Sequence, residues 1–483
     1  MRVGAFGGAL LSLLVVGGAL RFAVAELSFP TRPSGDELYY VGTAVNIAEG
    51  HGHLFNQRQQ AFRPPAQAWL LSWFVDVDLR RARLKADRFL TDLAELDPDD
   101  PDPDLRAFLR PLLWPSLILS TLLVPLSALL GRVLFDARAG LLAGTATALF
   151  PTLVAFGHSL MSETLFAVLV TSGLLAGVTS RDRRSVAWAA AAGLLFGAAS
   201  LTRELGAVVA GVVALWGVAT QAPGARLAAV GRGALLCACT LLVVAPWTWR
   251  NHQTFGRVVP VSTVGWFAAG EGNTLEHPDW LKAFGKQRMQ FKMRFFTIDD
   301  EMQRVDYARD YTLERIRDEQ PLWLPRKLVR NLGLLFNPDS VLLEKLRKGA
   351  YTEPGSASAR LLLVVHLLLY GLVICAAALG MASARGPGRR SLALAVLGAV
   401  CALHVAANAT PRFRVPWLPL LIVYASHAAL HGRALLRPGA RRALLAPLAA
   451  LGFLLWTLGP YFAEEAAAVW SKPPTPPETG GIP

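Results

Sequence analysis

Three apolar runs in this chain are nearly twice too long to cross a bilayer once. As one α-helix, residues 141–178 would measure about 57 Å at ~1.5 Å per residue, against a hydrocarbon core of ~30 Å. Residues 186–220 and 392–431 pose the same problem. Each run is broken near its middle by polar residues: His158 with Glu163, Thr202-Arg203-Glu204, and Thr410 through Arg414. A charged side chain at the centre of a bilayer costs about 2.5–3.5 kcal/mol on insertion scales, so these residues belong at turns or in polar cavities. Each long run therefore folds into a hairpin. With single spans at 4–25, 111–131, 234–249, 360–380 and 443–460, the chain makes eleven crossings. The expected fold class is an all-α polytopic membrane protein.

The hairpins put every midpoint break on one face, together with the acidic pair Asp36-Glu37. The short loops of the opposite face hold 14 arginines, from Arg132 to Arg442, whereas the three short turns hold only Arg203, Arg412 and Arg414. That asymmetry places the arginine-rich loops in the cytoplasm and the breaks outside. Hydrophobic residues make up 53% of the 483, which excludes an ordinary soluble domain. The net charge of +13 follows from the same loops and does not indicate nucleic acid. The four cysteines lie in apolar runs without zinc-ligand spacing.

The segments divide as a first transmembrane helix (1–25), a first outer loop (26–110), a transmembrane core (111–249), a second outer segment (250–358), C-terminal spans (359–460) and an outer tail (461–483). Ala23-Val24-Ala25 resembles a signal-peptidase site, but Arg21 interrupts it, and the run reads as an uncleaved span. In the first loop, residues 66–75 are too short to cross and read as interfacial. Residues 79–96 are amphipathic, and Asp97 through Asp104 is a Pro/Asp turn cluster read as a solvated loop. Residues 299–319 read as a soluble helix with acidic residues at its start, and 321–336 as interfacial. Asp76-Val77-Asp78 and His51-Gly52-His53 read as loop rather than metal ligands.

The polar residues of the outer face carry two readings each. Asp36 either caps the helix that follows it or acts as a general base towards an acceptor hydroxyl. Arg63, before Pro64-Pro65, either snorkels at the interface or holds a phosphate. Ser162 or Glu163 either caps the descending helix or, with His158, meets a substrate or a metal, although one His and one carboxylate are too few ligands for a metal site. Arg203, Arg250 and one of Arg412 and Arg414 either anchor separate turns or converge on a pyrophosphate or lipid phosphate.

Taken together these segments resemble the bacterial glycosyltransferase family 39 and lipid A aminoarabinose transferase group, of the GT-C fold and the dolichyl-phosphate-mannose protein mannosyltransferase superfamily. The residues carrying the resemblance are Gly35-Asp36-Glu37-Leu38-Tyr39-Tyr40, Arg63-Pro64-Pro65, Ser162-Glu163, Leu201-Thr202-Arg203, Ala245 through Asn251, Val259 through Thr263, Gly272-Asn273 and Phe413-Arg414-Val415-Pro416. Their order and spacing over about residues 1–430 carry it, rather than any one of them. The resemblance implies a donor sugar on a polyprenyl phosphate and inverting transfer on the extracytoplasmic face of the bacterial plasma membrane. It implies Asp36 as base, Glu37 as its assistant, and Arg63 and Arg203 as partners of the departing phosphate. Tyr40, His158, Glu163, Arg250, Arg412 and Arg414 complete the expected substrate site. Metal use varies in this fold, so no cofactor carries over and a divalent metal is left open. The acceptor stays open among glycan, lipid and protein. The insertion 76–110 is longer than the family pattern, and the compact soluble C-terminal domain of some relatives is missing. A polyprenyl-linked oligosaccharide flippase and a non-catalytic envelope assembly protein are the alternatives. A transporter places polar residues near mid-membrane, whereas here they gather at one interface.

Overall fold

The computed structural model describes residues 3–27, 33, 35–56, 59–83, 103–274, 286–338, 341–349, 351–386, 388–432, 445–457, 466–467 and 469–470. Residues 84–96 of the amphipathic segment, 97–102 of the Pro/Asp cluster, Arg433 through Arg442 and most of the tail lie outside the described residues.

The architecture is the expected all-α membrane bundle. Lipid offers no hydrogen bonds, so each apolar run satisfies its backbone internally as a helix. The long helices are Val3–Leu27, Pro103–Leu134, Glu163–Arg183, Arg226–Phe255, Ala357–Ser383 and Arg389–Ala406, with Pro411–Trp417 running directly into Leu418–His431. These seven units are long and apolar enough to cross a membrane. Val186–Thr202, Leu205–Ala219 and Leu445–Thr457 are shorter apolar helices. The remaining crossing is interrupted: Ala137–Leu149 ends at Phe150, which is extended, and Pro151–Phe156 resumes the path. Among the described residues seven units therefore meet the length of a full span, and the other segments that the sequence pattern assigns as crossings are shorter or interrupted helices. The Pro103–Leu134 helix begins well before the expected span and tolerates Pro111, Pro115 and Pro125 in its interior.

Close helix contact depends on small residues, because lipid supplies no hydrophobic drive between helices. A Cβ on Gly140 would stand 2.4 Å from the Ala128 carbonyl oxygen, and one on Gly380 would stand 2.0 Å from that of Tyr424. Substitution at either position pushes the paired helices apart.

Two buried arginines also tie elements together. Arg21 donates to Ser120 Oγ at 2.7 Å and to the carbonyls of Gly17, Ala148 and Thr147 at 3.0 Å. Pro151 has no N–H to offer Thr147, so the guanidinium occupies backbone acceptors freed where the helix breaks. At the outer end of the bundle, Arg414 donates to the carbonyls of Asn337 and Leu335 and lies over the Tyr370 ring.

Among the described residues eight helices cover the face that carries the long polar segments, called the outer face after the sequence expectation. Asp36–Ala48, Ala66–Ser72 and Val77–Arg83 come from the first loop, and Val264–Gly272, Lys286–Thr297, Glu301–Asp318, Trp323–Phe336 and Val341–Arg347 from the second. An aromatic-rich cluster joins the two, including Tyr39, Tyr40, Phe62, Phe108, Phe267, Phe291 and Phe295. This core fixes the first outer helix above the membrane ends of the bundle.

Candidate active site on the outer face

Five charged side chains form an alternating array where the first outer helix meets the hairpin turns. Arg63 Nη2 donates to Asp36 Oδ1 at 2.5 Å, and Arg412 Nη2 donates to Asp36 Oδ2 at 2.5 Å. Arg412 Nε stands 3.6 Å from Glu163 Oε1, which also accepts from Arg203 Nη2 at 2.5 Å. The order is Arg63, Asp36, Arg412, Glu163, Arg203. Three guanidiniums face two carboxylates, so the array carries a net positive charge. The residues come from the first outer loop and from all three midpoint breaks.

Local structure explains how these side chains are presented. Asp36 opens its helix but makes no side-chain capping bond; Gly35, at φ 54°, occupies the N-cap. The carboxylate serves the arginines instead. Ser162 likewise sits at an N-cap without capping. Its Oγ accepts from Tyr40 OH at 3.1 Å and from Arg203 Nε at 3.2 Å. Glu163 is 1% exposed, and Arg203 and Arg412 are its ion-pair partners. The Phe413 ring lies under both Arg203 and Arg412, with guanidinium-to-centroid distances of 5.1 and 5.5 Å. The ring thus offers its π-system to two like charges.

Glu37 points elsewhere. Its Oε1 accepts from Ser159 Oγ at 2.7 Å and Leu160 N at 2.9 Å, fixing the 157–162 turn. Ser116 Oγ holds the same turn from below through the Ser159 carbonyl, at 2.7 Å. His158 stands beside the array rather than in it: its Nε2 meets Tyr351 OH at 2.7 Å, and its carbonyl accepts from Lys345 Nζ at 3.4 Å. Burial first, then the Lys345 charge, hold the His158 imidazole well below its ordinary pKa. Lys345 is lowered to about 8 by burial, against the opposing pull of Glu37.

Burial alone would raise the Asp36 pKa. The charges of Arg412 and Arg63 and the hydrogen bond from Arg412 outweigh it and hold the carboxyl well below the usual carboxylate range. In this arrangement Asp36 is ionised and strongly paired.

Arg250 and Arg414 do not join the array. Arg250 lies over Trp247 and donates to the Gln60 carbonyl at 3.0 Å, so it braces the loop leading to Arg63. Arg414 is the bundle anchor described above. Of the two arginines flanking Phe413, only Arg412 reaches Asp36. Sequence reasoning missed Glu301, which was assigned to the start of a soluble helix. It is buried and accepts from Gln60 N at 2.6 Å, Ala61 N at 3.2 Å and Thr263 Oγ1 at 2.7 Å. It is a latch between the second outer segment and the loop that carries Arg63. Lys345 was missed too. Among the described residues, no group of three His, Cys, Asp or Glu is placed to hold a metal.

The family of dolichyl-phosphate-mannose-protein mannosyltransferases matches residues 108–249, which include Glu163 and Arg203. No curated protein matches the chain. In structure the chain is similar to the Archaeoglobus fulgidus oligosaccharyltransferase in the apo form, at TM-score 0.50 and 16% identity over 96% of this chain and 56% of that one. It is also similar to ArnT from Cupriavidus metallidurans bound to undecaprenyl phosphate, at TM-score 0.50 and 15% identity over 96% of this chain and 77% of that one. The chain thus spans about half the length of the archaeal enzyme. The likeness is one of fold, and it bears out the resemblance read from the sequence. This chain is a multi-pass membrane protein of the GT-C glycosyltransferase fold, and its residues 108–249 match the dolichyl-phosphate-mannose-protein mannosyltransferase family.

Proposed function

We propose that this protein is a glycosyltransferase that moves a sugar from a polyprenyl-phosphate donor to an envelope acceptor. The reaction takes place on the extracytoplasmic face of a bacterial plasma membrane, with inversion at the anomeric carbon. The observation that carries the reading is the five-membered array, in which three arginines outnumber two carboxylates at one membrane edge. Arginine forks suit phosphate oxygens, and the fold is shared with a protein solved with undecaprenyl phosphate bound. The asymmetry of the arginine-rich loops supports the orientation.

The chemistry follows from the geometry. The donor phosphate enters beside Arg63, Arg203 and Arg412 and draws their donors towards itself. Asp36 then loses part of the cationic contact that suppresses its basicity, and its pKa rises where a base is required. It takes the proton of the acceptor hydroxyl as that oxygen attacks the anomeric carbon from the side opposite the phosphate. The bond from the anomeric carbon to the phosphate oxygen breaks, and its electron pair leaves with the polyprenyl phosphate. The arginines stabilise the charge that develops there. Donor binding and activation of the base are thereby coupled through the same side chains. Glu163 keeps Arg203 and Arg412 in place, and Glu37 holds the turn that presents Glu163.

Intact cells carrying wild type, no copy, or Asp36→Asn at matched membrane levels test the reading. Mass spectrometry follows polyprenyl-phosphate sugars and released envelope glycans. The expected result is loss of one glycan and accumulation of one lipid-linked sugar in both defective strains. Normal glycans in Asp36→Asn, with altered glycans in the deletion, would remove Asp36 as the base.

A further inference from the structure

A second cluster of arginines lies at the other pole of the bundle. The Glu163–Arg183 helix has 21 residues, so its two ends stand about 30 Å apart. Glu163, at one end, belongs to the array above. At the other end, Arg181, Arg184 and Arg389 line a cavity of about 410 Å³ with Trp216 and Gln221. Val133, Leu134 and Val178 supply apolar lining. The cavity is therefore polar and cationic in part, and apolar where the helices meet.

Arginines on this face orient a membrane protein, and for that purpose they need no fixed geometry. These have one. Arg181 Nε donates to Thr220 Oγ1 at 2.8 Å, and its Nη2 donates to the Thr220 carbonyl at 2.9 Å. Its guanidinium lies over the Trp216 ring, 5.3 Å from the centroid. Trp216 Nε1 in turn donates to the Gly388 carbonyl at 2.8 Å, tying the 205–219 helix to the residue before Arg389. Gln221 Nε2 donates to the Arg181 carbonyl at 3.0 Å. Arg184 sits at φ 52°, the left-handed position that ends its helix, where glycine is the usual occupant. Asp182 pairs with Arg181 at 2.6 Å. Three arginines against one aspartate leave the cavity with surplus positive charge.

We infer that this cavity binds a phosphate group, supplied by an anionic lipid of the leaflet opposite the proposed active site or by a soluble phosphate. The apolar lining beside the cationic rim favours the lipid, whose glycerol and first acyl carbons would lie along Val133, Leu134 and Val178. Basic pockets between transmembrane helices recognise headgroups in this manner. The inference rests on the fold and the side chains at this pole, not on the proposed transfer reaction.

The full chain is purified into nanodiscs of phosphatidylcholine doped with phosphatidylglycerol, and the lipid retained on release is counted by native mass spectrometry. A parallel arm uses phosphatidylcholine alone and titrates inorganic phosphate against thermal unfolding. Two double variants are compared, Arg184→Gln with Arg389→Gln, and Arg183→Gln with Arg390→Gln. Both remove two charges from the same face, but only the first pair lines the cavity. At roughly fivefold per arginine, the first variant is expected to lose its phosphatidylglycerol enrichment while the second keeps it. The same variant pattern with inorganic phosphate, and none with the lipid, supports the site and assigns it to a soluble phosphate. Equal loss in both variants would reduce the effect to diffuse surface charge and overturn the proposal. So would enrichment unchanged in the first variant, or no binding in either arm.

Discussion

Arg412 Nη2 donates to Asp36 Oδ2 at 2.5 Å although 376 positions separate them in sequence. The contact joins the first outer helix to the last hairpin turn, so the candidate site exists only when nearly the whole chain has folded. It also gives Arg412 a role that Arg414, two residues on, does not share.

Turnover per folded molecule separates the roles of these two arginines. Arg412→Gln removes a proposed donor to the phosphate and is expected to lower transfer per folded molecule by about 10²–10³-fold, and it also lowers the melting temperature because Asp36 and Glu163 lose a cationic partner. Arg414→Gln removes charge-assisted bonds to the Asn337 and Leu335 carbonyls. Each such bond is worth about 1.5–3 kcal/mol, so the melting temperature falls, while the surviving folded enzyme keeps near-normal turnover. Turnover per folded molecule and thermal unfolding in detergent check both outcomes. Equal loss of turnover in the two variants would contradict the assignment.

The depressed pKa of Asp36 gives two pH signatures. Its folded value lies below the unfolded value of ~3.9, so its contribution to stability is present above that pH. It is constant from pH 5 to 8 and declines as pH falls below about 4 towards the folded value. Asp36→Asn should therefore be less stable than wild type by a constant margin across the neutral range, with the margin narrowing in acid. Denaturation series at several pH values check this. In activity, Arg63→Gln or Arg412→Gln removes a cation that lowers the carboxyl's pKa, and so raises that pKa. The acid limb of the pH–rate profile should move upward in either variant. An unmoved limb would show that the limb does not report Asp36.

Glu301 holds the Arg63 stretch through the N–H groups of Gln60 and Ala61. Glu301→Ala leaves those donors and Thr263 without their acceptor, and is expected to cost about 1–3 kcal/mol. The displaced loop should also lower transfer by misplacing Arg63. Glu301→Gln retains one oxygen and should recover part of both. Hydrogen exchange at residues 59–63, measured beside activity, distinguishes a loosened loop from global destabilisation: exchange there should rise before exchange in the transmembrane helices does.

The hairpins were legible because lipid imposes a hard rule on length and charge. A 38-residue apolar run cannot be one span, and its polar residues locate the turn. Convergence was not legible. Arg203, Arg250, Arg412 and Arg414 are equivalent in sequence, each an arginine near the outer end of an apolar run. Which of them meets Asp36 depends on how the turns close: the Pro411–Trp417 turn directs Arg412 to Asp36 and buries Arg414 against the carbonyls of Leu335 and Asn337. Glu301 was hidden for another reason. An acidic residue in the first turn of a helix is adequately explained by the helix dipole, and nothing local signals that its acceptors serve a loop 240 residues earlier.

Arg21 supplies the last prediction, and it concerns the break at Pro151. Thr147 and Ala148 are buried, and the Arg21 guanidinium donates to their carbonyls across helices. Arg21→Leu preserves much of the bulk and removes a charge that is expensive to bury, a change that favours the variant. It also leaves those two carbonyls and the Ser120 hydroxyl without that donor, at about 1–3 kcal/mol each where no substitute is found. Several lost bonds outweigh one relieved charge, so the net expectation is destabilisation. Arg21→Lys reaches with a single ammonium that cannot span four acceptors in the guanidinium geometry, and should recover only part of it. Melting temperatures in detergent check the order wild type, Lys, Leu. A Leu variant as stable as wild type would mean that water or a rearranged backbone serves those carbonyls instead.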